Sequence, residues 1–169
     1  MSDLRPDDWN EPVVVPEPDR PRKVLVPFDG SHTAERALAW SVLVAQNNDA
    51  EVIVVVAFDP PLTVRGRGAS YVEEMKATLE GEAHELAEQA VRSLLDRTVN
   101  ARGKVVRGDV ARAILEVADE ESVDLIILGR QGVTHEVGGA TLDRFRALMS
   151  GGIAEKVSRH AEVPVLVVV

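Results

Sequence analysis

A chain of 169 residues, 45% hydrophobic and 28% charged, is one domain's worth of ordinary globular sequence, long enough to bury a core. Its formal net charge of −9 argues against a nucleic-acid surface, which relies on clustered Lys and Arg, and no apolar run approaches the length of a bilayer span. The absence of cysteine and of an apolar start flanked by positive charge fits a cytoplasmic protein without a signal peptide.

Residues 1–22 stand apart. They hold Pro6, Pro12, Pro16, Pro18 and Pro21, with six acids against three arginines, which predicts an extended, disordered arm. Its short PVVV run (12–15) is a candidate to dock as a strand on an exposed edge. From Lys23 the pattern alternates. KVLVPFD (23–29) is a continuous apolar run, the mark of a strand buried on both faces. After DGSHT, the residues Ala34, Ala37, Leu38, Ser41, Val42 and Ala45 recur at helical spacing until QNND. EVIVVVAF (51–58) is the second strand, and DPPLTVRGRG leads into a long helix striped by Met75, Leu79, Leu86, Ala90, Val91 and Leu94. GKVVRG (103–108) is the third strand, with Asp109 as N-cap of the helix VARAILEVADEES. VDLIILG (123–129) is the fourth, GIAEKVSRH a short last helix, and PVLVVV (164–169) the fifth strand. This alternation predicts a single α/β domain over 23–169, a parallel sheet covered by helices on both faces. Ligands of such sheets sit beyond the carboxyl ends of the strands, which points to PFDGS, VAFDP and the loop after LIILG.

That loop, GRQGVTHEVGGATLDRFRALMSGG (129–152), is rich in glycine. A glycine-rich turn entering a helix aims backbone N–H groups at a phosphate, and the helix dipole adds partial positive charge. Gly151 and Gly152 have no side chain to block that approach. Arg130, Arg144 and Arg146 against Glu136 and Asp143 give the stretch a local charge of +1. The same residues also suit a plain connection, and Asp29 equally suits a turn or a helix cap. On the residues alone both readings stay open.

Three segments, KVLVPFDGSHTAERALAW, GDVARAILEVADEESVDLIILGRQG and GGIAEKVSRHAEVPVLVVV, resemble the universal stress protein family in residues, spacing and order over Lys23 to Val169. The resemblance implies a five-stranded parallel sheet in the order 3-2-1-4-5, a Rossmann-like fold of the adenine-nucleotide-binding type. Members that bind ATP or a related nucleotide carry G-x2-G-x9-G-[ST] between the fourth strand and the last helix. Here Gly129 and Gly132 match the first half and Gly151 and Gly152, aligned through AEKV, the second, with eighteen residues between Gly132 and Gly151 where the family has nine. The loop therefore holds an insertion at about 133–146, and Gly152 stands where the family has Ser or Thr, with Ser150 the nearest hydroxyl. Asp29 matches the aspartate that contacts the adenosine part, flanked by Pro27 and Phe28. Ala57 matches a residue whose backbone meets the adenine, Leu128 lines the same pocket, and Arg130 and Ile153 adjoin the two halves of the motif.

Other chemistries fail on their residues. HELAEQ at His84 begins like a helical zinc motif but offers Glu88 as second ligand and no further cluster. SGG at 150–152 lacks the Asp and Ser of a pyrophosphatase loop, and a phosphoacceptor receiver needs a Lys after the fifth strand. No general base stands out at the strand ends, so an enzyme is not expected. The resemblance leads to a nucleotide-binding regulatory module of the stress response, holding ATP or AMP, with Mg2+ beside ATP. It also implies a homodimer through 164–169, an uncharged edge strand. The alternative is a nucleotide-free dimeric module that offers 133–146 to a protein partner, and a weak ATP hydrolase is third. Neither nucleic acid nor membrane is an expected partner.

Overall fold

The computed structural model describes residues 16–17, 19–60, 68–130 and 152–169. In chain order these form β1 (Lys23–Pro27), α1 (His32–Asn48), β2 (Glu51–Phe58), α2 (Ala69–Leu95), β3 (Ala101–Arg107), α3 (Val110–Glu121), β4 (Leu125–Gly129), α4 (Ile153–His160) and β5 (Val165–Val168). The strands make one parallel sheet in the order β3-β2-β1-β4-β5, as expected. The arm's PVVV run and the insertion at 133–146 lie outside the described residues.

Each strand reads as unbroken apolar sequence because both of its faces are covered. Val24, Val26, Val52, Val54 and Ile127 pack beneath α1 and α2, while Leu25, Ile53, Val55 and Ile126 pack beneath α3 and α4. Alternate residues of one strand thus serve two cores. On α1 the expected stripe is buried except Val42, which is half-buried. On α2 the stripe differs. Its buried residues are Ala83, Ala87, Ala90 and Leu94, while Met75 and Leu79 lie in the first half of the helix, where nothing is fully buried. Small residues win there because the helix sits close to β3: a Cβ on Gly103 would lie 3.4 Å from the side chains of both Ala87 and Val91.

Strand ends differ by a few residues from the apolar runs, for local reasons. β1 stops at Pro27, although the Phe28 N–H still donates to the Val55 carbonyl at 2.8 Å. β4 starts at Leu125, because Asp124 clasps the start of β1: its Oδ2 accepts the Arg22 and Lys23 N–H groups at 2.7 and 2.9 Å. β3 begins at Ala101, where Arg102 enters an ion-pair network at the amino edge of the sheet.

In that network Arg102 donates to Glu51 at 2.9 Å and to Glu121 at 2.6 Å, and Lys104 to Glu120 at 2.7 Å and Glu121 at 3.2 Å. It ties β2 and β3 to the end of α3. Hydrogen bonds from Arg102 and then Lys104 hold the Glu121 carboxyl down from 4.5 to about 2. A carboxylate whose folded pKa is depressed stabilises the fold above its unfolded pKa and loses that contribution as pH falls through the folded one. We expect Glu121→Gln to be less stable than wild type at neutral pH and to lose less stability between pH 4.5 and 2. Urea melts of both proteins across that range measure the difference, and parallel curves would refute it.

Candidate functional site

β1 is the middle strand, with β2 on one side and β4 on the other, so the winding of the chain reverses between β1 and β4. In parallel sheets a ligand crevice opens at that point, beyond the carboxyl ends. Asp29 leaves β1 exposed, and its Oδ1 accepts the Ser31 N–H at 3.0 Å across Gly30. Gly30 holds a φ of 75°, the left-handed conformation that glycine adopts without steric cost. Ser31 then caps α1, its Oγ accepting the Ala34 N–H at 3.1 Å.

Gly129, the last residue of β4, lies against this first turn. A Cβ placed on it would sit 2.7 Å from the Thr33 carbonyl carbon and 2.7 Å from Thr33 Oγ1. The amino end of α1 seats on the end of β4 because residue 129 has no side chain. Arg130 follows as an exposed residue whose N–H donates to the Val168 carbonyl at 2.8 Å, so β5 is tied to the same corner. α4 enters with Gly152 as its N-cap, φ −61° and ψ 166°, and among the described residues no side chain caps it. A Cβ at Gly152 would meet no atom of the described residues within 4 Å.

The crevice thus gathers Pro27, Phe28 and Asp29 at the end of β1 with Gly129 and Arg130 at the end of β4. Ala57 belongs with them, since the pairing of Pro27 with Val55 sets it two residues past the end of β1, level with Asp29. Phe28 and Leu128 are core side chains, 9% and 3% exposed, under α1 with α2 and under α3 with α4 respectively. They turn only backbone toward the strand ends. Gly152 and Ile153 are both exposed at the start of α4. Gly132, Ser150 and Gly151, like Arg144 and Arg146, lie outside the described residues.

The family model for the universal stress protein family matches residues 21–169. The chain belongs to that family. Among curated relatives, a universal stress protein of Thermus aquaticus is 31% identical over 147 residues, 87% of this chain and 98% of that one. Universal stress protein MJ0577 of Methanocaldococcus jannaschii is 30% identical over 161 residues. A solved structure of MJ0577 superposes with a TM-score of 0.70 at 29% identity, covering 87% of this chain and 94% of that one. Two proteins alike in fold are a universal stress protein of Archaeoglobus fulgidus in complex with dAMP (22% identical, TM-score 0.60, 87% and 97% covered) and a universal stress protein in complex with cAMP (24%, 0.61, 89% and 99%).

In this universal stress protein the reading of the sequence passed over Ser31 and Thr33. Ser31 had a signal, a serine directly before an apolar helical period. Thr33 had none, since its contact with Gly129 joins residues far apart in the chain. Among the described residues no group of three or more acidic, His or Cys side chains could hold a metal, so His84 and Glu88 stay unassembled. Among the described residues, cavities also lie away from the crevice, one of about 360 Å3 between α2 and β3 and one of about 550 Å3 between α3 and α4. No described helix is long and apolar enough to cross a membrane.

Proposed function

We propose that this universal stress protein is a regulatory module that binds an adenine nucleotide, ATP or AMP, in the crevice between β1 and β4, and that it works as a homodimer. The observation that carries the reading is the start of α4. An N-terminus that no described side chain caps, at a glycine that no described atom crowds, leaves first-turn N–H groups for phosphate oxygens. Asp29 would take the ribose hydroxyls, and backbone at Ala57 and Leu128 would flank the base. Arg130 stands exposed beside them, directly after β4. Mg2+ would accompany the phosphates if the nucleotide is ATP. The adenine nucleotides bound by the relatives of like fold agree with this choice of base.

For the dimer, support comes from β5, which pairs only with β4 among the described residues and leaves Leu166, Val167 and Val169 exposed. Unpaired backbone along such an edge invites a second strand.

The test is to denature freshly purified protein and identify released adenine nucleotide by chromatography, with Asp29→Ala in parallel. Nucleotide carried by wild type and lost from a still-folded Asp29→Ala is the expected result. An empty wild type with no ATP-dependent rise in melting temperature would sink the reading and favour the nucleotide-free module that uses 133–146.

A further inference from the structure

β3 closes one side of the sheet and pairs only with β2 among the described residues. Its backbone phase is fixed at both ends. The Asn100 carbonyl accepts the Val52 N–H at 2.8 Å, and the Gly108 N–H donates to the Phe58 carbonyl at 2.9 Å. Alternation along the strand then turns the N–H and C=O groups of Gly103, Val105 and Arg107 outward, away from β2. These three residues also share the α2 face of the sheet, since a Cβ on Gly103 would touch Ala87 and Val91 at 3.4 Å. On that face lies the cavity of about 360 Å3, lined by Ala87, Val91, Leu95, Gly103 and Val105 among others, with Leu95 50% exposed. An open edge beside an apolar groove is the form that an added strand fills.

The chain carries a segment that matches. Glu11, Pro12, Val13, Val14, Val15 and Pro16 follow one another in the arm. Proline has no N–H and enters an edge strand only where that N–H would face solvent. Pro12 and Pro16 are in phase, so both turn outward when Val13 and Val15 turn their N–H and C=O groups to the sheet.

Length and direction agree. The strand registers set Lys23 level with Asn100. A strand added beyond β3 lies three inter-strand steps from β1, about 14 Å, and Gly103 stands about 10 Å further along, a diagonal of about 17 Å. From Val15 to Lys23 the chain reaches at most about 26 Å, which spans it. The arm must arrive at the amino end of β1, so the added strand runs antiparallel to β3, a common finish to a parallel sheet.

We propose that residues 11–15 add to β3 as an antiparallel sixth strand of their own sheet, with Val15 opposite Gly103, Val13 opposite Val105 and Glu11 opposite Arg107. The two valines fill the groove in front of Val91 and Leu95. Glu11 meets the exposed Arg107 as a cross-strand pair of opposite charge. Charge separates this edge from the other one. β5 is as near to β1, yet Val163 to Val169 carry no charged side chain to receive Glu11, and β5 is four residues long against seven for β3.

Val13→Pro and Val14→Pro in the full chain are a matched pair: the first removes an N–H aimed at β3, the second one aimed at solvent. Amide hydrogen exchange at Gly103, Val105 and Arg107, followed by NMR, reads the edge directly. We expect these three amides to be protected in wild type and in Val14→Pro, and to exchange at least ~10-fold faster in Val13→Pro. Exchange at one common rate in all three proteins, fast or slow, overturns the proposal. Protection that Val13→Pro removes from Val165 and Val167 instead puts the arm on β5 and refutes it as well. Protection that grows with protein concentration assigns the arm to another copy and refutes docking on its own chain.

Discussion

Gly129→Ala will cost the fold about 2–3 kcal/mol, while Gly152→Ala, in the same family motif, will leave stability nearly unchanged. The difference follows from what each Cβ would meet. At Gly129 it would press on Thr33, with the carbonyl carbon and Oγ1 both at 2.7 Å and Cβ at 2.9 Å. One of those atoms is backbone in the capped first turn of α1, so no change of rotamer relieves the contact. The helix must lift from β4, which loosens the packing of Ala34 and Ala37 on the sheet. For a domain of this size the loss corresponds to a fall in melting temperature of roughly 5–10 °C. Thr33→Ala should not rescue it, because the backbone contact remains. At Gly152 the backbone is extended and no atom of the described residues stands within 4 Å. Its alanine variant is therefore the clean probe of phosphate binding, with fold held constant. Equal melting temperatures for the two variants would show that the seat of α1 on β4 is not as close as described.

The second large effect lies in the core. Leu25 of β1 is paired in register with Ile53 of β2 and Ile126 of β4, and all three are fully buried in the layer beneath α3 and α4. Leu25→Ala removes the middle of that row. Neighbours on both sides are held by strand pairing, so the space cannot collapse, and the expected loss is about 3–4 kcal/mol, toward the upper half of the range for such truncations. Against a typical total of about 5–15 kcal/mol this is a large share. Chemical denaturation with an unchanged slope measures it. A loss below about 1 kcal/mol would mean that the layer repacks.

Most of the fold was legible because each strand advertises burial on both faces by an unbroken β-branched run, and each helix by its period. Strand order was not in the periodicity. It came with the family resemblance, and the pairing of β1 with both β2 and β4 agrees with it. The site was legible as far as single residues carry it. Asp29 at a strand end can be seen in the sequence, but its bond to the Ser31 N–H can only be placed once Gly30 has turned the chain. The motif drew attention to Gly129 as a phosphate residue, whereas its packing role needs Thr33, a partner almost a hundred residues away. Ala83 and Ala87 escaped notice because alanine suits a close helix–sheet approach and an exposed helix face alike.

The clasp of Asp124 on the start of β1 has a consequence for the order of assembly. It joins residues 102 apart, while β1, α1, β2, α2 and β3 follow one another and pair with near neighbours. The first three strands can therefore form during synthesis, leaving β1 with one raw edge until β4 emerges. Contacts of long sequence separation are the slow ones. Docking of β4 should accordingly set the folding rate, and the half-built sheet is the species most exposed to pairing with the wrong chain.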